Sequence, residues 1–202
     1  MDPRLQHPFT CVISGPTNSG KSWFVTRLLT HAQTMIDPPP LQVVWSYGEW
    51  QSLYTTLKHV KFVEGLPDIQ QLQPRTLVVV DDLMAETDER ITKLFTKTSH
   101  HRDVSVIYIV QNLFNKNKEN RTISLNAQYM ALFKNPRDAS QVSHLGKQMY
   151  PGHSKYFQEV FQDATANAHG YLFVDLKQAT PEHLRLRTRI FPDEIQYVYL
   201  RK

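Results

Sequence analysis

Eight consecutive residues, Gly15-Pro16-Thr17-Asn18-Ser19-Gly20-Lys21-Ser22, have the types and spacing of a phosphate cradle. Gly15 and Gly20 permit tight backbone turns that aim successive N–H groups at phosphate oxygens, and a helix emerging from the loop adds its N-terminal dipole. Lys21 then reaches the β- and γ-phosphates, while Ser22 offers a hydroxyl to Mg²⁺, a hard ion that takes oxygen ligands. The bland alternative is a glycine-rich turn with no ligand. The flanks argue against it. Residues 10–14 form a short apolar run, and Phe24, Leu28 and Leu29 recur at helical spacing, so strand, loop and helix follow in the order this chemistry needs.

A second constellation is acidic. Residues 76–80 are continuously aliphatic after Thr76, as in a parallel strand covered on both faces, and the run ends in Asp81-Asp82. A carboxylate at the carboxyl edge of such a sheet can hold Mg²⁺ beside a bound phosphate, the Walker B pattern, and Asp81 takes that role. Adjacent strand side chains point oppositely, so Asp82 does not duplicate it; at the strand tip it is placed to orient or deprotonate water. The competing role for Asp82 is a cap for a helix over residues 88–99, for which Asp88 is equally suited. A third strand, residues 104–110, ends in Gln111-Asn112. There an amide can donate to a γ-phosphate or orient water, and the alternative is an ordinary turn.

Basic residues gather twice. From Leu113 to Ser124 the chain is polar, and Lys116, Lys118 and Arg121 can grip phosphates of a nucleic acid backbone, or simply be solvated. Near the C-terminus Arg185, Arg187 and Arg189 alternate with Leu184, Leu186, Thr188 and Ile190, so an extended segment would show three arginines on one face. That stripe reads equally as a phosphate contact or as a solvated edge that blocks aggregation.

The elements needed to position these groups are legible in outline. After the first helix, Asp37-Pro38-Pro39-Pro40 forces a stop, and strands are expected at residues 41–47, 60–63, 127–133 and 170–176. Helical spacing occupies residues 48–57, 136–149 and 154–166. The 202 residues, 41% hydrophobic and 21% charged, suit one α/β domain, without room for an appended nuclease domain. The longest apolar runs are too short to span a bilayer and no signal pattern opens the chain, so an intracellular protein without a membrane partner is expected. Cys11, the single cysteine, sits inside the first strand and reads as a small buried apolar residue. Nine histidines include only one adjacent pair, His100-His101, whose side chains diverge, which argues against zinc. The net charge of +4 is compatible with a polyanionic partner.

With these segments assembled, the chain resembles the ASCE division of P-loop ATPases, and within it the FtsK–HerA superfamily. More closely, residues 99–102 before 106–114, followed by Phe133-Lys134-Asn135-Pro136-Arg137-Asp138, look like the DNA packaging ATPases of Polinton/adintovirus-type elements, relatives of the poxvirus enzyme. The similarity runs from about Phe9 to Pro192. It implies a RecA-like, mainly parallel sheet with helices on both faces, as a single domain over residues 1–202 with a basic extended segment from about residue 180. It also implies ATP and Mg²⁺ as ligands, a homo-oligomeric ring, and ATP-driven movement of double-stranded DNA into a capsid through capsid or portal proteins, in a host nucleus or viral assembly site. Carried over by position, phosphate binding falls to Gly15 through Ser22, magnesium to Ser22 and Asp81, water activation to Asp82, and sensing to Gln111. Many members have Glu where Asp82 stands, one methylene longer. Arg102 is the first choice for a finger supplied in trans, with Arg121 and Arg137 as alternatives. Two rival functions fit the loop alone: a nucleotide kinase with a basic lid at residues 116–121, and a DNA-binding assembly protein that holds ATP without hydrolysing it.

Overall fold

The chain is described by a computed structural model covering residues 2–81, 83, 89–99, 102–112 and 118–201, without the side chains of Lys97, Thr98 and Lys118. The strands in chain order are β1 (Leu5–Gln6), β2 (Thr10–Ser14), β3 (Ile36–Asp37), β4 (Gln42–Tyr47), β5 (Val60–Glu64), β6 (Thr76–Asp81), β7 (Val104–Val110), β8 (Tyr129–Phe133), β9 (Tyr171–Asp175), β10 (Leu186–Thr188) and β11 (Tyr197–Val198). The α-helices are α1 (Lys21–Thr30), α2 (Ala32–Met35), α3 (Glu89–Lys93), α4 (Lys118–Leu125), α5 (Ser140–Met149) and α6 (Ser154–Ala164). Nine strands form one sheet in the order β11-β10-β9-β8-β2-β7-β6-β4-β5. The block from β8 to β5 is parallel throughout, whereas β9, β10 and β11 continue the other side antiparallel.

Alternation explains why both faces are covered. In β6, Leu77 and Val79 enter one core and Val78 and Val80 the other; in β7, Ile107 and Ile109 separate in the same way from Val106 and Tyr108. Phe24, Val25 and Leu28 of α1 close the first core, and Ile91, Leu145, Phe157 and Phe161 from α3, α5 and α6 close the second. Each fully buried aromatic such as Phe24 contributes about 1.5–3 kcal/mol by leaving water. The expected α/β architecture, a mainly parallel sheet between helices, is the one observed. No helix among the described residues is long and apolar enough to cross a membrane.

Several local expectations are corrected. Residues 48–57 make only a short 3₁₀ turn at Ser52–Thr56, because Tyr54 turns inward beneath β4 rather than lining an exposed helical face. The helix expected from Pro136 starts at Ser140, since Asp138 accepts from the Ser140 N–H and ends a turn there. The helix expected over residues 88–99 is present from residue 89 to 99, with α3 continuing as a π-type turn at Leu94–Thr98.

The basic segment at 113–124 is not all loop: its second half is α4, with Ile123 buried and Arg121 exposed. Lys116 lies outside the described residues, as do His100 and His101.

The C-terminal arginine stripe does not exist as one face. Arg187 is buried in β10, 3.4 Å from the Asp175 carboxylate of β9 and stacked over Phe173. Arg185 precedes the strand and donates to Glu182 and to the carbonyls of Asp175 and Lys177. Arg189 has a left-handed φ of 53° that ends the extended geometry. The alternation failed because β10 is an inner strand, flanked by β9 and β11, and Asp175 gives its central arginine a buried partner.

Candidate functional site

The phosphate loop leaves the carboxyl end of β2, the strand between β7 and β8, and turns directly into α1. Gly15 is required by crowding: a Cβ there would stand 2.6 Å from Phe133 Cβ and 2.7 Å from Ser19 Oγ. Gly20 is required by conformation, with φ of 104°, and Asn18 adopts the left-handed region at 62°. The Gly15 N–H donates to Val110 O at the end of β7, which ties the loop to the neighbouring strand. The start of α1 has no side-chain cap and no acidic residue in its first turn, so its N-terminal N–H groups and positive dipole end stay available to an anion. Ser19 Oγ, in the same loop, is buried without a hydrogen-bond partner.

The acidic strand converges on the same place. With β7 lying between β2 and β6, the loop and the end of β6 are two strand spacings apart, about 10 Å, and the first turn of α1 bridges that gap. Ser22 Oγ donates to Asp81 Oδ2 at 3.2 Å. Asp81 is buried, and the same oxygen receives the hydroxyl of buried Tyr54 at 2.9 Å. Lys21 Nζ donates to Pro16 O at 2.8 Å, which folds the ammonium across the loop. A cavity of about 220 Å³ is lined by Thr17, Lys21, Ser22, Asp81 and Gln111 among others. Lys21, Ser22, Asp81 and Gln111, separated by up to ninety positions in the sequence, thus share one cavity at the carboxyl edge of the sheet.

The donor set fits Mg²⁺. A hydroxyl and a carboxylate oxygen already within hydrogen-bond distance of each other are the one or two hard protein ligands this ion takes when phosphates and waters supply the rest. Among the described residues no cluster of three or more His, Cys, Asp or Glu forms a protein-only cage.

Other expected site residues fall elsewhere. Asp82 and Lys116 lie outside the described residues, and Lys118 is described only in its backbone as the first residue of α4. Arg102 stands before β7, at the amino edge of the sheet and opposite the cavity, where its guanidinium donates to the carbonyls of Ile69 and Gln70. Cys11 is fully buried, and burial pushes its thiol well above the usual range, so it is an inert core residue.

Two residues beside the loop carried no sequence signal of their role. Tyr54 reaches Asp81 from 27 positions away, and His169 Nδ1 lies 3.2 Å from Ser19 O from 150 positions away. Trp23, directly after Ser22, stands exposed at the start of α1 beside the loop.

No protein-family model matches the sequence, and no curated protein does. Among solved structures the chain is similar to the genome packaging NTPase B204 from Sulfolobus turreted icosahedral virus 2. Its complex with AMP superposes with a TM-score of 0.56 at 11% sequence identity, covering 89% of this chain and 96% of that one. Its complex with AMPPCP gives 0.54 at 14%, with the same coverage. At these identities the likeness establishes a shared fold, along nearly the whole of both chains.

Proposed function

We propose that this chain is an ATP-hydrolysing motor that moves double-stranded DNA, most specifically one that packages viral DNA. One observation carries the reading: the phosphate loop, Ser22, Asp81 and Gln111 meet in a single cavity at the carboxyl edge of the sheet. The fold shared with a genome packaging NTPase supports the packaging role. The finer placement among Polinton/adintovirus-type enzymes rests on the sequence resemblance.

In this reading the loop N–H groups and Lys21 bind the triphosphate. At an effective dielectric near 20, a unit charge pair 4 Å apart is worth about 4 kcal/mol, enough to make Lys21 the main anchor of the terminal phosphates. Ser22 and Asp81 would hold Mg²⁺, which supplies charge neutralisation to the β- and γ-oxygens when bound. Tyr54 fixes the Asp81 carboxylate by its hydrogen bond, so the carboxylate need not reorganise as substrate enters. Asp82, next in sequence, is assigned to the attacking water. Gln111, at the tip of β7, is assigned to sensing the γ-phosphate. Arg102 serves a neighbouring subunit's site in a ring, and the segment from Gln111 through Arg121 carries the response to DNA.

Phosphate release measured with and without double-stranded DNA tests this. Turnover that rises with DNA and falls at least about a hundredfold in Lys21→Ala supports the reading. A nucleotide kinase would instead consume ATP only with a second nucleotide, and a protein that merely holds ATP would release no phosphate.

A further inference from the structure

A second and larger opening, of about 870 Å³, adjoins the phosphate cavity, and the two share Gly20 and Trp23 as walls. We infer that this groove receives the nucleoside half of the nucleotide, with its base against Trp23 and Tyr197. The inference rests on the nucleotide-binding reading above and adds a site to it.

Direction comes first. A triphosphate laid on the loop has its terminal phosphate at Lys21, Ser22, Asp81 and Gln111, so its other end must leave the cavity elsewhere. Gly20 and Trp23, three residues apart at the start of α1, form the border with the groove and give that exit. The volume lies within the range of small-molecule sites, about 300–1,000 Å³.

Chemistry comes second. Trp23 is 53% exposed and Tyr197 48%, two large rings that the fold leaves about half exposed in the same groove. Each already carries a guanidinium on its ring, Arg27 at 5.2 Å from the Trp23 centroid and Arg189 at 5.2 Å from that of Tyr197. Flat aromatic and cationic surfaces are what a nucleobase stacks upon.

Rigidity comes third. The wall bearing Tyr197 is the C-terminal segment, which ion pairs, strand pairing and hydrogen bonds hold in place. Arg27 of α1 bridges to Asp193 and Glu194, β11 pairs with β10, and the Tyr199 hydroxyl donates to Asp163 at the end of α6. The helix that opens with the phosphate loop therefore also holds the far wall of the groove. On the remaining side, His169 packs on Gly20 and on the Ser19 carbonyl, which joins that wall to the loop itself.

The test is calorimetric titration with Mg·ATP and, as a probe lacking a nucleoside, Mg·tripolyphosphate. Tyr197→Ala and Trp23→Ala should each lower ATP affinity about tenfold while Tyr197→Ala leaves tripolyphosphate affinity unchanged, and Tyr197→Phe should bind ATP like the parent. ATP affinity unchanged in both alanine variants overturns the inference, as does an equal loss for both ligands in Tyr197→Ala. So does a change confined to self-association, which would make the exposed rings a contact between copies. Those results would leave nucleotide binding standing. Parent protein that binds neither ligand would overturn both readings together.

Discussion

Tyr54 and Asp81 show what a single hydrogen bond is asked to do in this site. Asp81 Oδ2 receives the hydroxyls of Ser22 and Tyr54, and only that of Ser22 comes from the glycine-rich loop and its helix. Removing the other by Tyr54→Phe should raise the Mg²⁺ concentration needed for half-maximal nucleotide binding by about tenfold, as for other groups that orient a metal ligand. Global stability should fall by only about 1 kcal/mol, because one hydrogen bond is lost and the ring remains. A Mg²⁺ titration and a urea melt on the same variant separate the two effects. Asp81→Asn should abolish the Mg²⁺ dependence, whereas Asp82→Asn should leave ATP bound and slow its hydrolysis, which binding and turnover measurements on the pair distinguish. At this scale the loop and Asp81 were legible because the chemistry is local: eight adjacent residues, and a carboxylate at the end of an aliphatic run. Tyr54 and His169 were not, since their roles exist only once distant segments pack.

At the scale of elements, β10 and the segment after it decide how the C-terminal end is used. Arg187 is held beside Asp175 in a nearly dry site, where burial lowers the guanidinium pKa and the carboxylate opposes that shift. Losing Arg187 removes the carboxylate's buried cationic partner and leaves it only the Lys177 N–H and the Thr180 hydroxyl on its other oxygen, so Arg187→Ala should destabilise the fold by about 3 kcal/mol in urea, and more than the double replacement Arg187→Met with Asp175→Leu. The segment after β10 answers to pH. Arg27 holds the Asp193 carboxyl below its usual value, so the bridge contributes above pH 4 and is lost as pH falls through the lowered value. Because Asp193 is exposed, the effect should be local. Amide exchange at residues 193–198, corrected for intrinsic rates, should quicken at pH 3 and should already be fast at pH 7 in Arg27→Met. The alternation of apolar and basic residues did reveal a strand here. It misjudged the faces, because whether an arginine meets water or a buried aspartate is set by the neighbouring strand.

For the whole molecule, the sheet order gives the site its logic. The carboxyl ends of β2, β6 and β7 lie side by side and bring the loop, Asp81 and Gln111 together, while Arg102 sits at the opposite edge. Aliphatic runs and the strand-loop-helix pattern made the parallel block readable, since each strand announces itself locally. The antiparallel continuation through β9, β10 and β11 was not readable, because strand order is fixed by long-range pairing. Arg102 cannot serve the cavity of its own chain from that edge, so its assignment requires a neighbour. Mixing Arg102→Ala with Lys21→Ala subunits should restore turnover at some interfaces, given that such fingers raise rates by about 10³–10⁵. Assembled mixtures no more active than either parent would remove Arg102 from that role.

Motion along DNA is tested most directly by displacement of a triplex-forming oligonucleotide from linear duplex DNA. With ATP and Mg²⁺ the protein should strip the third strand at a rate that follows ATP concentration, and neither AMPPCP nor the Lys21→Ala variant should do so. ATP hydrolysis stimulated by the same DNA, with the triplex left in place, would contradict a translocating motor.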